Sequence, residues 1–132
     1  VIKHAEQLAL WLQATNHRWR HIVWRTSVPG HTNCTAHGAP LSHTYRPDPK
    51  HKYGWDRVAG QDALRRQTFD RMLPGRVHTL DAAAISNRRA DRHMIRTRIS
   101  NNEPDCLHYC LPGPPDDWNR ALKAILLLNA SR

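Results

Sequence analysis

Between Lys3 and Thr15 apolar residues return at helical spacing, Ala5, Leu8, Ala9 and Leu12, with Trp11 widening the stripe. That period predicts an amphipathic helix with this face turned inward. At His21-Ile22-Val23-Trp24 the period gives way to consecutive β-branched and aromatic residues, which suit a strand buried on both faces in a parallel sheet. Ser27 to Lys52 has no period and is dense in Pro, Gly, His and Thr, so a long loop is predicted there; loops of that length in compact domains are usually functional or disordered. Trp55 to Leu73 carries Val58, Ala63, Leu64, Phe69, Met72 and Leu73 among charges and stops before Pro74-Gly75, which predicts a second helix.

Arg76 to Leu80 is a second short strand, Asp81 to Ser86 a loop or helical turn, and Arg88 to Asn102 a basic surface loop leading to a turn at Asp105. Pro115 followed by Asp116 and Asp117 marks a strong helix start, since proline suits the first turn and carboxylates favour the positive end of the dipole. Its buried stripe is expected to be Trp118, Ala121, Leu122, Ile125 and Leu126. The alternation of helix, strand and loop defines an α/β class, of the kind the C-terminal half of a doubly wound sheet supplies. There is no internal repeat and no heptad.

Composition narrows this picture. With 39% hydrophobic residues, nine prolines and six glycines in 132 residues, the core is modest, as in a piece of something larger. No apolar run is long enough for a membrane span, and no signal peptide is visible. Twenty Lys and Arg against eleven Asp and Glu give a formal charge of +9, with ten histidines in reserve for acidic surroundings. Such a surface attracts polyanions or pairs with an acidic partner surface. The arginines are scattered and no helix-turn-helix, zinc-finger or RNA-binding aromatic signature accompanies them, so nucleic acid is not the expected partner.

The chemistry concentrates in Asp105-Cys106-Leu107-His108-Tyr109-Cys110. An acid and an imidazole three residues apart can act as orienting acid and general base of a serine triad. The nucleophile is missing: none of Ser27, Ser42, Ser86, Ser100 and Ser131 sits in a Gly-Asp-Ser or Gly-x-Ser-x-Gly turn. Arg25, Thr26 and His31 follow a predicted strand, where open α/β sheets place ligand-contacting loops, and are candidate site-lining residues. For Arg89, Asp91 and His93 an internal ion pair is the expected role. A competing reading makes His31-x-x-Cys34-x-x-His37 a zinc site with Cys106, Cys110 or His108, although that spacing is not a standard closed pattern and no metal is the expectation.

The Asp105-x-x-His108 block resembles the C-terminal block of the trichome-birefringence-like polysaccharide O-acetyltransferases, PC-esterase proteins with an SGNH-hydrolase-like fold. Three further blocks fit in the same order: Trp24 through His31 with Asn33-Cys34; Trp55-Asp56 with Gln61; and Leu80-Asp81 through Ser86, Arg89, Asp91 and His93. Family members carry the serine in an N-terminal Gly-Asp-Ser block, so residues 1–132 correspond to the C-terminal part of a single acyltransferase domain, one half of a three-layer, Rossmann-like fold with long loops.

The resemblance implies acetyl transfer to the hydroxyls of a cell-wall polysaccharide, with Asp105 and His108 catalytic. Carbohydrate acetyl esterase activity on the same fold and a non-catalytic basic polyanion-binding module are the alternatives. It implies a polysaccharide acceptor and an acetyl donor, acetyl-CoA among the candidates, with no bound cofactor. It also implies a membrane anchor upstream and a Golgi-lumen location, where disulfides form. Cys34 is then expected to pair with Cys106, leaving Cys110 for a cysteine in the absent half. The chain alone, without the serine, is expected to be inactive.

Overall fold

The computed structural model describes residues 2–15, 18–94 and 104–129. Helix α1 (Ile2–Ala14) leads to strand β1 (Ile22–Arg25), and a long segment with one 3-10 turn at Cys34–Ala36 follows. A 3-10 turn at Trp55–Arg57 then opens helix α2 (Val58–Met72), followed by strand β2 (Val77–Leu80) and helix α3 (Ala82–Ser86). Strands β3 (His93–Met94) and β4 (Asp105–Tyr109) precede helix α4 (Pro114–Leu128).

β1 and β2 pair in parallel, from Ile22 opposite Val77 to Arg25 opposite Leu80. On one face Ala9 and Leu12 of α1 meet Phe69 and Leu73 at the end of α2, and Ile22, Trp24, Met72 and Val77 close the cluster. The Trp24 indole stands edge-on to Phe69 at 5.9 Å, a favoured aromatic geometry. α4 packs against β2 and α3. There the Arg25 guanidinium lies 5.4 Å from the centre of the Trp118 ring. The result is α/β: a helix pair, a parallel sheet and a further helix.

The strand ends are tied down by side chains. Thr26 Oγ donates to Asp81 Oδ1 at 3.1 Å and accepts from the Ala83 N–H at 2.9 Å, while the same Asp81 oxygen accepts from Ala84 N–H and so caps α3. At the start of α4 the Asp116 carboxylate accepts the Gly113 N–H at 2.7 Å and holds the helix entry.

Several expectations need correcting, most for one reason. The sheet around β1 has only two strands among the described residues, so β1 is half-buried rather than enclosed on both faces. Leu8 and Trp11 of α1 are 46% and 51% exposed, outside the stripe predicted for them. In α2 the inward position belongs to Asp62, while Ala63 and Leu64 are exposed. Asp62 is tolerated because it accepts Ser27 N–H at 2.6 Å, Ser27 Oγ at 3.2 Å and Arg65 Nη1 at 2.7 Å. On α4 Trp118, Ala121, Leu122 and Ile125 are only half-buried and Leu126 is exposed.

The predicted loop from Arg88 contains a 3-10 turn at Ala90–Arg92 and β3, with Ala90 and His93 buried; residues 95–103 lie outside the described residues. Among the described residues no helix is long and apolar enough to cross a membrane.

Candidate active site

β4 runs antiparallel to β3 with an irregular register: His93 faces Tyr109, but the next residue, Met94, faces Asp105. One step along β3 spans four along β4, so Cys106, Leu107 and His108 form a bulge, with Leu107 and His108 exposed and Cys106 half-buried. The predicted turn therefore lies inside a strand. Asp105 shapes it. Its Oδ1 accepts the N–H groups of Leu107 and His108, both at 3.0 Å, and its Oδ2 lies 2.6 Å from His108 Nδ1. Short polar side chains fold onto their own backbone in this way, which here places acid and imidazole side by side.

Partial burial pushes the Asp105 carboxyl up, but the bonds from the His108 N–H, the His108 ring and the Leu107 N–H outweigh it and hold the group below the usual carboxylate value. The carboxylate is thus ionised at neutral pH and fixes a hydrogen on Nδ1, leaving the lone pair on Nε2. The His108 side chain is 69% exposed, and among the described residues nothing bonds its Nε2. An oriented, open imidazole of this kind can take a proton from a hydroxyl and return it.

The bulge is anchored from behind. Cys34 and Cys106 form a disulfide with α-carbons 5.4 Å apart and a sequence separation of 72. Closing a loop of that size stabilises by about 4 kcal/mol in the chain-entropy picture. The Cys106 carbonyl accepts the His31 N–H at 2.9 Å. A β-carbon on Gly30 would collide with the Trp55 ring and, at 2.5 Å, with the same carbonyl oxygen. Only glycine lets the loop approach so closely. Cys110 is a free, exposed thiol.

The residues expected to line the site have separate fates. Thr26 is buried and bonds Asp81, and Arg25 is spent on Trp118. His31 lines no open surface: it is 1% exposed and both ring nitrogens are engaged, with His93 and with the Asn87 carbonyl. With Cys34 in a disulfide, the thiolate that the zinc reading needs is also consumed. Arg89 and Asp91 make a two-pronged ion pair at 3.0 and 3.1 Å. That hydrogen bond raises the Arg89 pKa, and at Asp91 it overcomes the upward push of burial and leaves the carboxyl lowered.

His93 was expected to share that ion pair, but it makes none among the described residues: it is 2% exposed, stacks on Tyr109 at 4.2 Å and reaches the His108 carbonyl at 3.1 Å. Nothing local signals this, because its partners are 15 and 62 residues away.

Of the described serines, Ser27 bonds Asp62, Ser42 bonds His43 and the buried Ser86 accepts from Trp118, so none serves His108; Ser100 and Ser131 lie outside the described residues. A cavity of about 830 Å³ lies elsewhere, walled by Trp24, Trp55, Asp62 and Asp81, and does not include the Asp105–His108 pair. The pair is the better candidate for chemistry, since among the described residues it alone joins a carboxylate to an open imidazole. At the cavity wall Asp62 is taken by Ser27 and Arg65 and Asp81 by Thr26 and the α3 terminus, while Asp56, which also lines it, has a buried Oδ1 without a hydrogen-bond partner among the described residues and no imidazole beside it in the lining.

An α/β scaffold presenting an exposed, carboxylate-oriented imidazole has what the acid–base step of acyl transfer requires. Residues 2–125 match the PC-Esterase family, described as a GDSL/SGNH-like acyl-esterase family found in Pmr5 and Cas1p, and the chain belongs to that family. It is 28% identical over 124 residues to protein trichome berefringence-like 7 of Arabidopsis thaliana, covering 89% of this chain and 25% of that protein. Against xylan O-acetyltransferase 6 of Oryza sativa subsp. japonica it is 39% identical over 84 residues, 53% of this chain and 14% of the other. Protein trichome birefringence-like 39 of Arabidopsis thaliana is 47% identical over 51 residues, 37% of this chain and 13% of the other. The chain spans about a quarter or less of the length of these curated relatives.

Proposed function

We propose that this chain supplies the acid–base half of a Ser-His-Asp site in a polysaccharide O-acetyltransferase, as the C-terminal part of a single acyltransferase domain. One observation carries the reading: the 2.6 Å contact between Asp105 and His108 Nδ1, with Nε2 left open. The likeness to a xylan O-acetyltransferase supports a polysaccharide acceptor.

In the reaction a serine from the rest of the protein attacks the carbonyl carbon of an acetyl ester or thioester, its proton passing to His108 Nε2. His108 protonates the leaving group, and the acetyl-enzyme forms. A sugar hydroxyl then attacks, giving its proton to His108, and the serine oxygen leaves and takes that proton back. Asp105 holds the ring in the required tautomer and stabilises the imidazolium. The longer protein is proposed to work in the Golgi lumen behind an upstream membrane anchor, with Cys110 bonded to a cysteine outside this chain.

The test is transfer from an activated acetyl ester to xylan-type oligosaccharides by the longer protein, read by mass spectrometry. His108→Ala is expected to abolish turnover while folding and glycan binding survive. Undiminished transfer by that variant would move the active site elsewhere. Hydrolysis without transfer would make the protein an esterase.

A further inference from the structure

Two imidazoles share one buried site beneath the bulge. His31 and His93 are 1% and 2% exposed, and His31 Nδ1 lies 2.8 Å from His93 Nε2. Both outward nitrogens end on carbonyl oxygens: His31 Nε2 on Asn87 at 2.7 Å, and His93 Nδ1 on His108 at 3.1 Å. A carbonyl only accepts, so each outward nitrogen needs a hydrogen. The inner contact needs one too, because two bare nitrogens at that distance would aim lone pairs at each other. Two neutral imidazoles carry two hydrogens. All three contacts close only when the couple holds one further proton.

We propose that His31 and His93 form a proton-sharing couple that positions His108, holding its backbone carbonyl so that its ring stays on the Asp105 carboxylate. The proposal rests on the reading of Asp105 and His108 as the acid–base pair. His31 and His93 are positioning residues, since neither touches the open face of His108.

The surroundings fit a single shared proton. From the long loop the Tyr45 ring packs against His31 in a tilted arrangement at 4.4 Å, and His37 opposes positive charge. From β4 Tyr109 covers His93, its hydroxyl standing off His31 Nδ1 at 3.4 Å, while Asp105 favours the charged couple. From the Arg89–Arg92 turn Asp91 does the same, with Arg89 already tied to it. Burial lowers both imidazoles from their ordinary range, His93 to about 4. Hydrogen-bond completion works against burial for the first proton only, because a second would set N–H against N–H. The pair therefore titrates in two separated steps that belong to the couple, not to either ring. Without the bridging proton one contact must open, and the bond to His108 is the longest of the three.

Nitrogen-15 histidine NMR on the disulfide-bonded chain tests the couple without reference to turnover. One proton is expected to enter with a common midpoint at both rings, and the His108 Nδ1–H signal is expected to sharpen with that midpoint. His93→Asn, which keeps a donor near the Nδ1 position, should preserve the His108 signal; His93→Phe should broaden it by exchange with water. In the longer protein His93→Phe should lower kcat by about 10²-fold, the scale of a small misplacement of a reacting group, with KM little changed. His93→Asn should recover most of that rate and lose the pH dependence of the couple.

Rings that titrate independently, or a His108 signal unchanged in the Phe variant, would overturn the proposal. If the Phe variant does not fold, the wild-type titration decides. Retained turnover in His108→Ala would instead overturn the acid–base assignment alone, and the couple would still stand or fall by the NMR result.

Discussion

The helical side of the molecule and the bulged side are held together by different forces. Ala9, Leu12, Phe69 and Leu73 join α1 and α2 by apolar contact, which is non-directional and tolerates shifts. Among the described residues the region around β3 and β4 buries little aliphatic surface. It is fixed by a disulfide, a chain of imidazoles and aromatic rings, and backbone hydrogen bonds of defined geometry. Apolar packing supplies stability, while directional contacts supply position, and the candidate chemistry lies where position is controlled.

The sharpest separation should come from Asp105→Asn in the longer protein. Losing the carboxylate frees the imidazole to adopt the wrong tautomer, and turnover should fall by about 10³- to 10⁴-fold, measured as kcat, with the melting temperature little changed. Phe69→Ala should do the reverse. It empties a buried aromatic site and should cost about 3–5 kcal/mol in denaturant unfolding, with the His108 Nδ1–H signal retained in the molecules that remain folded. Loss of that signal at a temperature where the variant is still folded would show that the two sides are not separable.

Gly30→Ala tests the second side by geometry. The added methyl meets both the Trp55 ring and the Cys106 carbonyl, so the loop itself or both neighbours must shift, and the expected cost is about 1–3 kcal/mol with a shifted His108 resonance. The mildest test is pH. In the unfolded chain each imidazole takes a proton near its ordinary value of about 6.5, whereas the folded couple takes one and His93 is pushed to about 4. The unfolded state therefore binds more protons between those values. Stability should fall as pH drops from about 6.5 towards 4, and replacing both histidines should flatten that slope in a series of urea titrations.

The sequence announced the first side well. Helical spacing from Ala5 to Leu12, the Pro74-Gly75 stop and the Pro115-Asp116-Asp117 start are local signals, and the corresponding helices sit within a residue or a few of their predicted bounds. Burial was harder to read. Leu8 and Trp11 look like core residues until the sheet proves to have two strands, and Asp62 looks like a surface residue until Ser27 arrives to satisfy it. On the second side the Asp105–His108 spacing was visible, but the bulge was not, because it exists only against β3, a strand of two residues without a pattern. His93 was expected in an ion pair, and its actual partners were missed for the same reason. A buried polar residue is explained by distant partners, and periodicity carries no record of them.

The Cys34–Cys106 bond closes a covalent ring that contains α2, β2, α3 and β3. Within that ring lies an exposed, lysine-bearing stretch at Lys50 and Lys52. A protease cutting there would open the backbone without releasing either piece: the nicked molecule would migrate as one species until reduced and as two afterwards. New chain ends introduced at that stretch would likewise leave Asp105 tethered to Cys34, so the ring gives the bulge a mechanical tie that backbone continuity is not needed to maintain.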